Sequence, residues 1–368
     1  MKIKILFFIG SLNSGGKERR LLELLTYLSQ IDLYDLVLVT KKSKVLFQNF
    51  FKLNVKWIQL SSENLKLSTF GEFKNIVEKE KPQIIHTWGN KQTFVSLFSL
   101  ILFKNIKLVN SQITSAPPKL PLGEILIAKL NFLFSDVILS NSFAGIDAYN
   151  PPLNKSKVIY NGLNMLRFKD LPDIESIKKK YGLGKKFTIA MVASFSPNKD
   201  YKRFFEVGLA LNKLRNDVVF IGVGYYGAES EHIYRTIVDS TKNYPNLKAI
   251  PGCSEVEALV NAVDIGILFS NSKVHGEGIS NALIEYMALG KPIIANDAGG
   301  TREIIHNNTN GYLVKNESPE QIAQIINRLL DNPEKMKEMG CKSKDRINKE
   351  FSLDRMGEDF EKVYRSLI

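Results

Sequence analysis

Short unbroken apolar runs alternate with amphipathic stretches along this chain. In the first half, 3–9, 36–40, 55–60, 84–89, 107–110 and 136–140 read as strands buried on both faces. Between the first two, Leu21, Leu22, Leu25 and Leu28 fall at helical spacing over 17–28. A second set, with strands over 188–192, 218–222, 247–251, 265–269 and 292–295, follows in the other half. A last helix is predicted over 353–368, with Met356, Phe360, Val363 and Tyr364 on one face. Two successive sets of alternating strands and helices predict an α/β protein of two doubly wound domains. The length of 368 residues suits two such cores. A linker of mixed polarity is expected over 164–180, and the basic and apolar stretch 41–53 reads as a helix, either packed or lying on a membrane surface.

Composition narrows the class. Hydrophobic content of 44% and charged content of 24% are those of a globular protein. Cys253 and Cys341 are far apart, which argues against a disulfide framework or a zinc site and for a reducing compartment. The apolar run at the N-terminus breaks after about seven residues into Gly and polar positions. It reads as a strand rather than a signal peptide, and no membrane span is predicted. The net charge of +12 is uneven: residues 1–165 hold 21 Lys+Arg against 11 Asp+Glu, a net of +10. That half either meets anionic lipid or an acidic acceptor, or is an ordinary lysine-rich surface. No nucleic-acid recognition motif accompanies it.

The most informative stretch is 270–300. Glu277 lies in a Gly-flanked loop, and Glu285 lies in a helix predicted from Ser280 or Asn281 to a stop at Gly290. The amides of residues 279–282, at a helix N-terminus, attract phosphate. Glu277 just ahead of them and Glu285 one turn in are carboxylates suited to accepting from hydroxyls. The arrangement fits a nucleotide-sugar, although an ordinary strand-to-helix loop has the same pattern.

The run from His275-Gly-Glu277 through Glu285 to Asn310-Gly-Tyr-Leu-Val resembles the signature of the retaining glycosyltransferases of family 4. In that family two glutamates separated by seven residues lie on the nucleotide-sugar side of a GT-B fold. The resemblance implies two Rossmann-like domains facing across a cleft: 1–165 on the acceptor side, 166–350 for the donor, and 351–368 returning as a helix to the first. It further implies that Lys199 and Lys202 hold diphosphate with the amides of Gly278, Ile279, Ser280 and Asn281, and that Glu285 holds ribose. Glu277 would face the transferred sugar as a catalytic-site residue. Gly15-Gly16-Lys-Glu-Arg resembles the family's first loop, which places Gly16 near the donor. His86 resembles its cleft-facing histidine, although a lone histidine at a strand end is also a common structural residue. Ser194 stands where the family commonly has arginine, so either Lys202 or Arg203 supplies the second positive charge or the diphosphate relies on Lys199 and the helix amides.

Gly222-Val-Gly224-Tyr-Tyr-Gly227 is a literal GxGxxG, but it follows the second strand of its domain, opens no clear helix at its third Gly and lacks the acidic residue that completes a dinucleotide fingerprint. The 252–254 loop is a candidate base contact. The chain contains no Asp-x-Asp triplet, so neither metal nor cofactor is expected beyond the donor substrate. The expectation is a retaining, metal-independent glycosyltransferase using a nucleoside-diphosphate sugar, with UDP first. It would act on a saccharide or lipid-linked saccharide in surface polysaccharide biosynthesis, in the cytoplasm or peripherally on the membrane's cytoplasmic face. A non-catalytic nucleotide-binding subunit and a nucleotide-sugar epimerase are the alternatives.

Overall fold

The computed structural model describes residues 2–13, 15–42, 45–62, 64, 66–184 and 187–368. Two compact units result, Met1–Gly162 with Phe351–Ile368, and Leu163–Glu350.

The first unit is a seven-stranded parallel sheet of β1 (Ile3–Ile9), β2 (Tyr34–Thr40), β3 (Lys56–Gln59), β4 (Ile84–Trp88), β5 (Lys107–Ile113), β6 (Val137–Ser140) and β7 (Ser156–Val158). The order is β3-β2-β1-β4-β5-β6-β7. Its helices are α1 (Gly16–Leu28), α2 (Leu67–Glu80), α3 (Asn90–Leu102), α4 (Leu122–Phe134) and α5 (Phe143–Tyr149). Alternate residues of β1 serve opposite faces, as a strand demands. Ile5, Phe7 and Ile9 pack with Leu21, Leu25 and Leu28 of α1, whereas Leu6 and Phe8 pack with Phe73 and Val77 of α2 and with Val95 of α3. The chain's last helix, Leu353–Arg365, belongs to this unit. Its Met356, Phe360, Val363 and Tyr364 complete the α1 side of the core, on the predicted face. It seats on Gly162, where a Cβ would come within 2.7 Å of the Met356 side chain and 2.8 Å of the Ser352 carbonyl.

The second unit is a six-stranded parallel sheet of β8 (Phe187–Val192), β9 (Val218–Gly224), β10 (Leu247–Pro251), β11 (Ile265–Leu268), β12 (Ile293–Asn296) and β13 (Gly311–Val314). The order is β10-β9-β8-β11-β12-β13. The helices are α6 (Ile174–Tyr181), α7 (Tyr201–Asn212), α8 (Glu231–Thr241), α9 (Val256–Asn261), α10 (Asn281–Ala288), α11 (Thr301–Ile304), α12 (Pro319–Leu330) and α13 (Pro333–Glu350). Both units are doubly wound, Rossmann-like α/β domains.

Three local expectations change. The stretch 164–180 is not a linker: Asp173 caps α6 by accepting from the Ser176 amide, Gly182 ends it at φ +62°, and Ile177 is buried in the second unit. Among its described residues, 41–53 forms no α-helix; Val45 bridges to Leu12, and 48–52 is a single 3-10 turn around the buried Phe50. A 3-10 turn and then α8 open just past Gly227, where no helix was expected. The glycines before it are set by packing, since a Cβ on Gly222 would lie 2.8 Å from the Tyr201 ring and one on Gly224 only 1.6 Å from the Ala193 carbonyl. That double constraint accounts for two of the three glycines without any dinucleotide.

The Tyr286 hydroxyl ties α10 to β8. It donates to the Ala190 carbonyl and accepts from the Val192 amide, each at 3.0 Å. The ring lies over Gly266 of β11, where a Cβ would meet three ring atoms at 2.3–2.6 Å. Gly266→Ala is therefore expected to cost about 1–3 kcal/mol through overpacking. A lowered thermal midpoint reads this out, with Gly123→Ala, in α4 and meeting nothing within 4 Å, as the control whose midpoint does not fall.

Candidate functional site

In the second unit the loops at the carboxyl ends of β8, β11 and β12 converge, the edge where such sheets take ligands. The loop after β8 is stitched to the one after β11: the Asp200 amide donates to the Phe269 carbonyl and the Asn271 amide to the Asn198 carbonyl, each at 2.9 Å. Lys199 and Ser270 form a bridge between them. Asn296, the last residue of β12, accepts from the Ser270 amide at 2.6 Å.

Glu277 sits at the junction. Its Oε1 is the partner of Lys199 Nζ and of the Ser270 hydroxyl, with His275 Nε2 3.4 Å away. The Lys199 and Glu277 side chains are only 14% and 13% exposed. Burial by itself raises the carboxyl's pKa, but Lys199 and His275 prevail and hold it well below the ordinary carboxylate range. The loop after β12 closes over the Glu277 backbone: the Gly300 amide donates to its carbonyl at 2.7 Å, and a Cβ on Gly299 (φ +56°) would stand 2.3 Å from that oxygen. Gly278 and Ile279 are buried, and Ser280 is the N-cap of α10, so the helix's positive end lies immediately beyond the charged pair.

Glu285 projects from α10 into a second ionic group. Arg167 Nη2 lies 2.6 Å from Glu285 Oε1 and 2.6 Å from Glu257 Oε1, with its Nε 3.1 Å from the latter. Neither Arg167 nor Glu257 stood out in the sequence. Arg167 lies in the presumed linker, and only the fold brings it to the two glutamates.

The structure thus brings together Lys199, Glu277 and the start of α10, with Gly278, Ile279, Ser280 and Asn281. Lys202 is not part of the cluster: its side chain is 83% exposed on α7, facing Glu206 at 3.9 Å. Arg203 donates to the Glu317 carbonyl at 2.9 Å and stacks on Phe269. Ser194 is exposed, its hydroxyl 3.1 Å from that of Ser196. At the candidate base loop, Gly252 (φ +83°) leaves room for Tyr225, and Cys253 is buried with its Sγ 3.0 Å from the Tyr181 hydroxyl.

In the first unit Gly16 opens α1 at the carboxyl end of β1; Ser14 lies outside the described residues. Glu18, four residues past that position, folds back on Gly15, where a Cβ would touch its carboxylate at 1.9 Å. Burial pushes the Glu18 carboxyl up, against the pull of Lys17. Glu18 is the glutamate of the Gly15-Gly16-Lys-Glu-Arg motif, to which the sequence assigned no role of its own. His86 is fully buried on β4. Nδ1 lies 2.7 Å from the Tyr364 hydroxyl and Nε2 2.7 Å from that of Ser111, so both ring nitrogens are bonded within the unit. The last helix covers a histidine that the sequence had suggested would face a ligand, and this geometry offers a substrate no ring nitrogen.

Residues 173–346 match the family model described as Glycosyl transferases group 1. The match spans nearly all of the second unit. Along its full length the chain is similar to the uncharacterized glycosyltransferase MJ1069 of Methanocaldococcus jannaschii, 24% identical over 100% of this chain and 99% of that protein. It is also similar to the capsular polysaccharide biosynthesis glycosyltransferase CapM of Staphylococcus aureus, 22% identical over 56% of this chain and 53% of that protein. Among solved structures it resembles Anabaena Alr3699/HepE in complex with UDP and glucose, with a TM-score of 0.87 at 19% identity, covering 99% of this chain and 100% of that one. At that identity the likeness establishes the fold, which is GT-B. The Lys199–Glu277 cluster and α10 lie inside the stretch that the family model matches.

Burial, with Arg20 nearby, holds the His86 imidazole well below its ordinary range. The folded chain keeps it neutral while the unfolded chain takes up a proton as the pH falls through about 6.5. Stability is therefore full above that pH and is lost on the acid side. In urea unfolding between about pH 7.5 and 5, the slope of stability against pH is expected to be smaller in His86→Gln by about one proton.

Proposed function

We propose that this protein is a retaining glycosyltransferase of family 4. It would move a sugar from a nucleoside-diphosphate sugar, a UDP-sugar first, to a saccharide or lipid-linked saccharide acceptor in surface polysaccharide biosynthesis. The observation that carries the reading is the pairing of Glu277 with Lys199 at the start of α10, where a cation, a helix N-terminus and a hydroxyl-accepting carboxylate converge. The complex of HepE with UDP and glucose and the part of CapM in capsular polysaccharide biosynthesis support the choice of donor and pathway.

In this reading Lys199 and the amides from Gly278 to Asn281 hold the diphosphate. Glu285, oriented by Arg167, accepts from the ribose hydroxyls. Glu277 accepts from hydroxyls of the transferred sugar. As the bond between the anomeric carbon and the diphosphate oxygen breaks, negative charge grows on the leaving group, which fixed cations and the helix dipole stabilise without reorganising. The acceptor hydroxyl attacks from the same face and gives its proton to the departing phosphate. No metal and no protein nucleophile is required. Lys199 has to exchange Glu277 for phosphate when donor binds, so the ion pair is a resting arrangement. We assign His86 to packing rather than to chemistry, and Lys202 to the surface. Peripheral contact with an anionic membrane belongs to the same reading.

One observation favours the second reading, a non-catalytic nucleotide-binding subunit: neither Lys202 nor Arg203 joins Lys199, and Ser194 supplies no charge. The test is a binding screen against UDP-, GDP-, ADP- and dTDP-sugars, followed by donor hydrolysis or transfer assays. One donor is expected to bind selectively and to lose most of its affinity in Glu285→Ala. Glu277→Ala is expected to lower turnover at least a hundredfold, within the range seen when one transition-state contact is removed, while changing nucleotide affinity little. Equal losses in binding and turnover would refute this division of roles, and binding without any turnover would favour the subunit.

A further inference from the structure

Helices on a water-facing sheet normally bury apolar side chains and present polar ones to solvent. On the first unit α4 largely inverts this, and α3, whose Phe94, Val95, Leu97 and Leu100 still pack on the core, does so at Phe98 and in its last turn. α3 buries Gln92, Thr93, Ser96 and Ser99 alongside Val95 and Leu97, while Phe98, Ile101 and Leu102 are 44–57% exposed. α4 buries Ala128, Asn131 and Phe132, while Leu122, Leu126, Leu130, Leu133 and Phe134 are 39–79% exposed. Positions 122, 126, 130 and 133 form one stripe along the helix. A polar network explains how these helices hold polar residues inside. The Asn131 amide donates to the Asn90 carbonyl at 2.9 Å and to Gln112 Oε1 at 2.8 Å, and the Asn110 side chain meets that of Thr93 at 3.3 Å. Right-handed crossovers from β4 to β5 and from β5 to β6 set the two helices side by side on one face of the sheet.

Charge indicates what this face meets. Residues 90–157 contain seven lysines and three acidic residues. Lys104 follows α3, Lys119 precedes α4 and Lys129 lies within its exposed side. Lys155 donates to the carbonyls of Leu133 and Ser135 at the end of α4, beside the 74% exposed Leu153. An apolar stripe rimmed by lysine is complementary to acyl chains beneath anionic headgroups. A twofold contact between copies would instead set the same lysines against one another. Among the described residues no helix is long and apolar enough to cross a membrane, so the face would lie on a bilayer rather than span it.

We propose that the α3–α4 face of the first unit is the surface by which this protein docks on an anionic lipid membrane. It deepens the reading of a lipid-linked acceptor. The loop 114–121 leads from the carboxyl end of β5, the ligand edge of the sheet, directly into α4. An acceptor anchored in the same bilayer would thus be presented along α4 to that edge.

The docking is tested without donor or acceptor, so its failure and that of the transfer reading are separable. The full chain is sedimented with vesicles of phosphatidylglycerol and phosphatidylcholine, and with phosphatidylcholine alone. Wild type is expected to bind the anionic vesicles selectively. Leu126→Glu with Leu133→Glu, both at exposed positions, is expected to weaken that binding at least tenfold with the thermal midpoint unchanged. Lys119→Ala with Lys129→Ala should weaken it by about fivefold per lysine. The proposal is overturned if wild type ignores anionic vesicles or if the double glutamate variant binds them equally. It is also overturned if sedimentation velocity shows a dimer that the glutamate variant disperses, which would make the face a contact between copies.

Discussion

The buried pair of Lys199 and Glu277 is the constraint around which the second unit's ligand edge is built. Two charges largely withdrawn from water each cost several kcal/mol unless they are matched. The match brings the loop after β8 against the loop after β11, and the Gly299–Gly300 turn then seals the Glu277 backbone from the β12 side. In the proposed reaction the ionised carboxylate would accept from sugar hydroxyls and the lysine would hold the leaving diphosphate. Structure and chemistry therefore make the same demand on these residues, that charge be fixed before substrate arrives.

The first unit meets a different problem. Arg20 is buried, with Nη2 donating to the Ile159 carbonyl at 2.5 Å and the guanidinium over the rings of Trp88 and Phe360. Burial lowers its pKa to about 9. Stacking and one carbonyl offset part of the desolvation, and the last helix supplies Phe360 and Tyr364 to enclose it. The returning C-terminal segment is thus part of this unit's core, and His86 beneath it is sequestered by the same packing. What the unit leaves exposed includes apolar side chains of α3 and α4.

Much of this was legible in the chain. Parallel strands buried on both faces appear as short apolar runs, so eleven of the thirteen described strands could be anticipated, most of them within a residue or two at their ends, whereas the edge strands β7 and β13 were not. The 277–290 segment was legible for the same reason: its loop, cap, helix and stop are all local, and the two glutamates keep a spacing that needs no distant partner to be read. Tertiary structure decided which side chains meet. Arg167 reaches Glu285 and Glu257, Arg203 turns to the Glu317 carbonyl, and Tyr364 closes over His86 across 278 residues of sequence. The inverted burial of α4, and of the end of α3, was likewise invisible, because periodicity shows that a helix has two unlike faces but not which one the sheet will cover. Local sequence encodes backbone preference and spacing, whereas burial and ion pairing depend on distant residues, and only the folded chain brings these together.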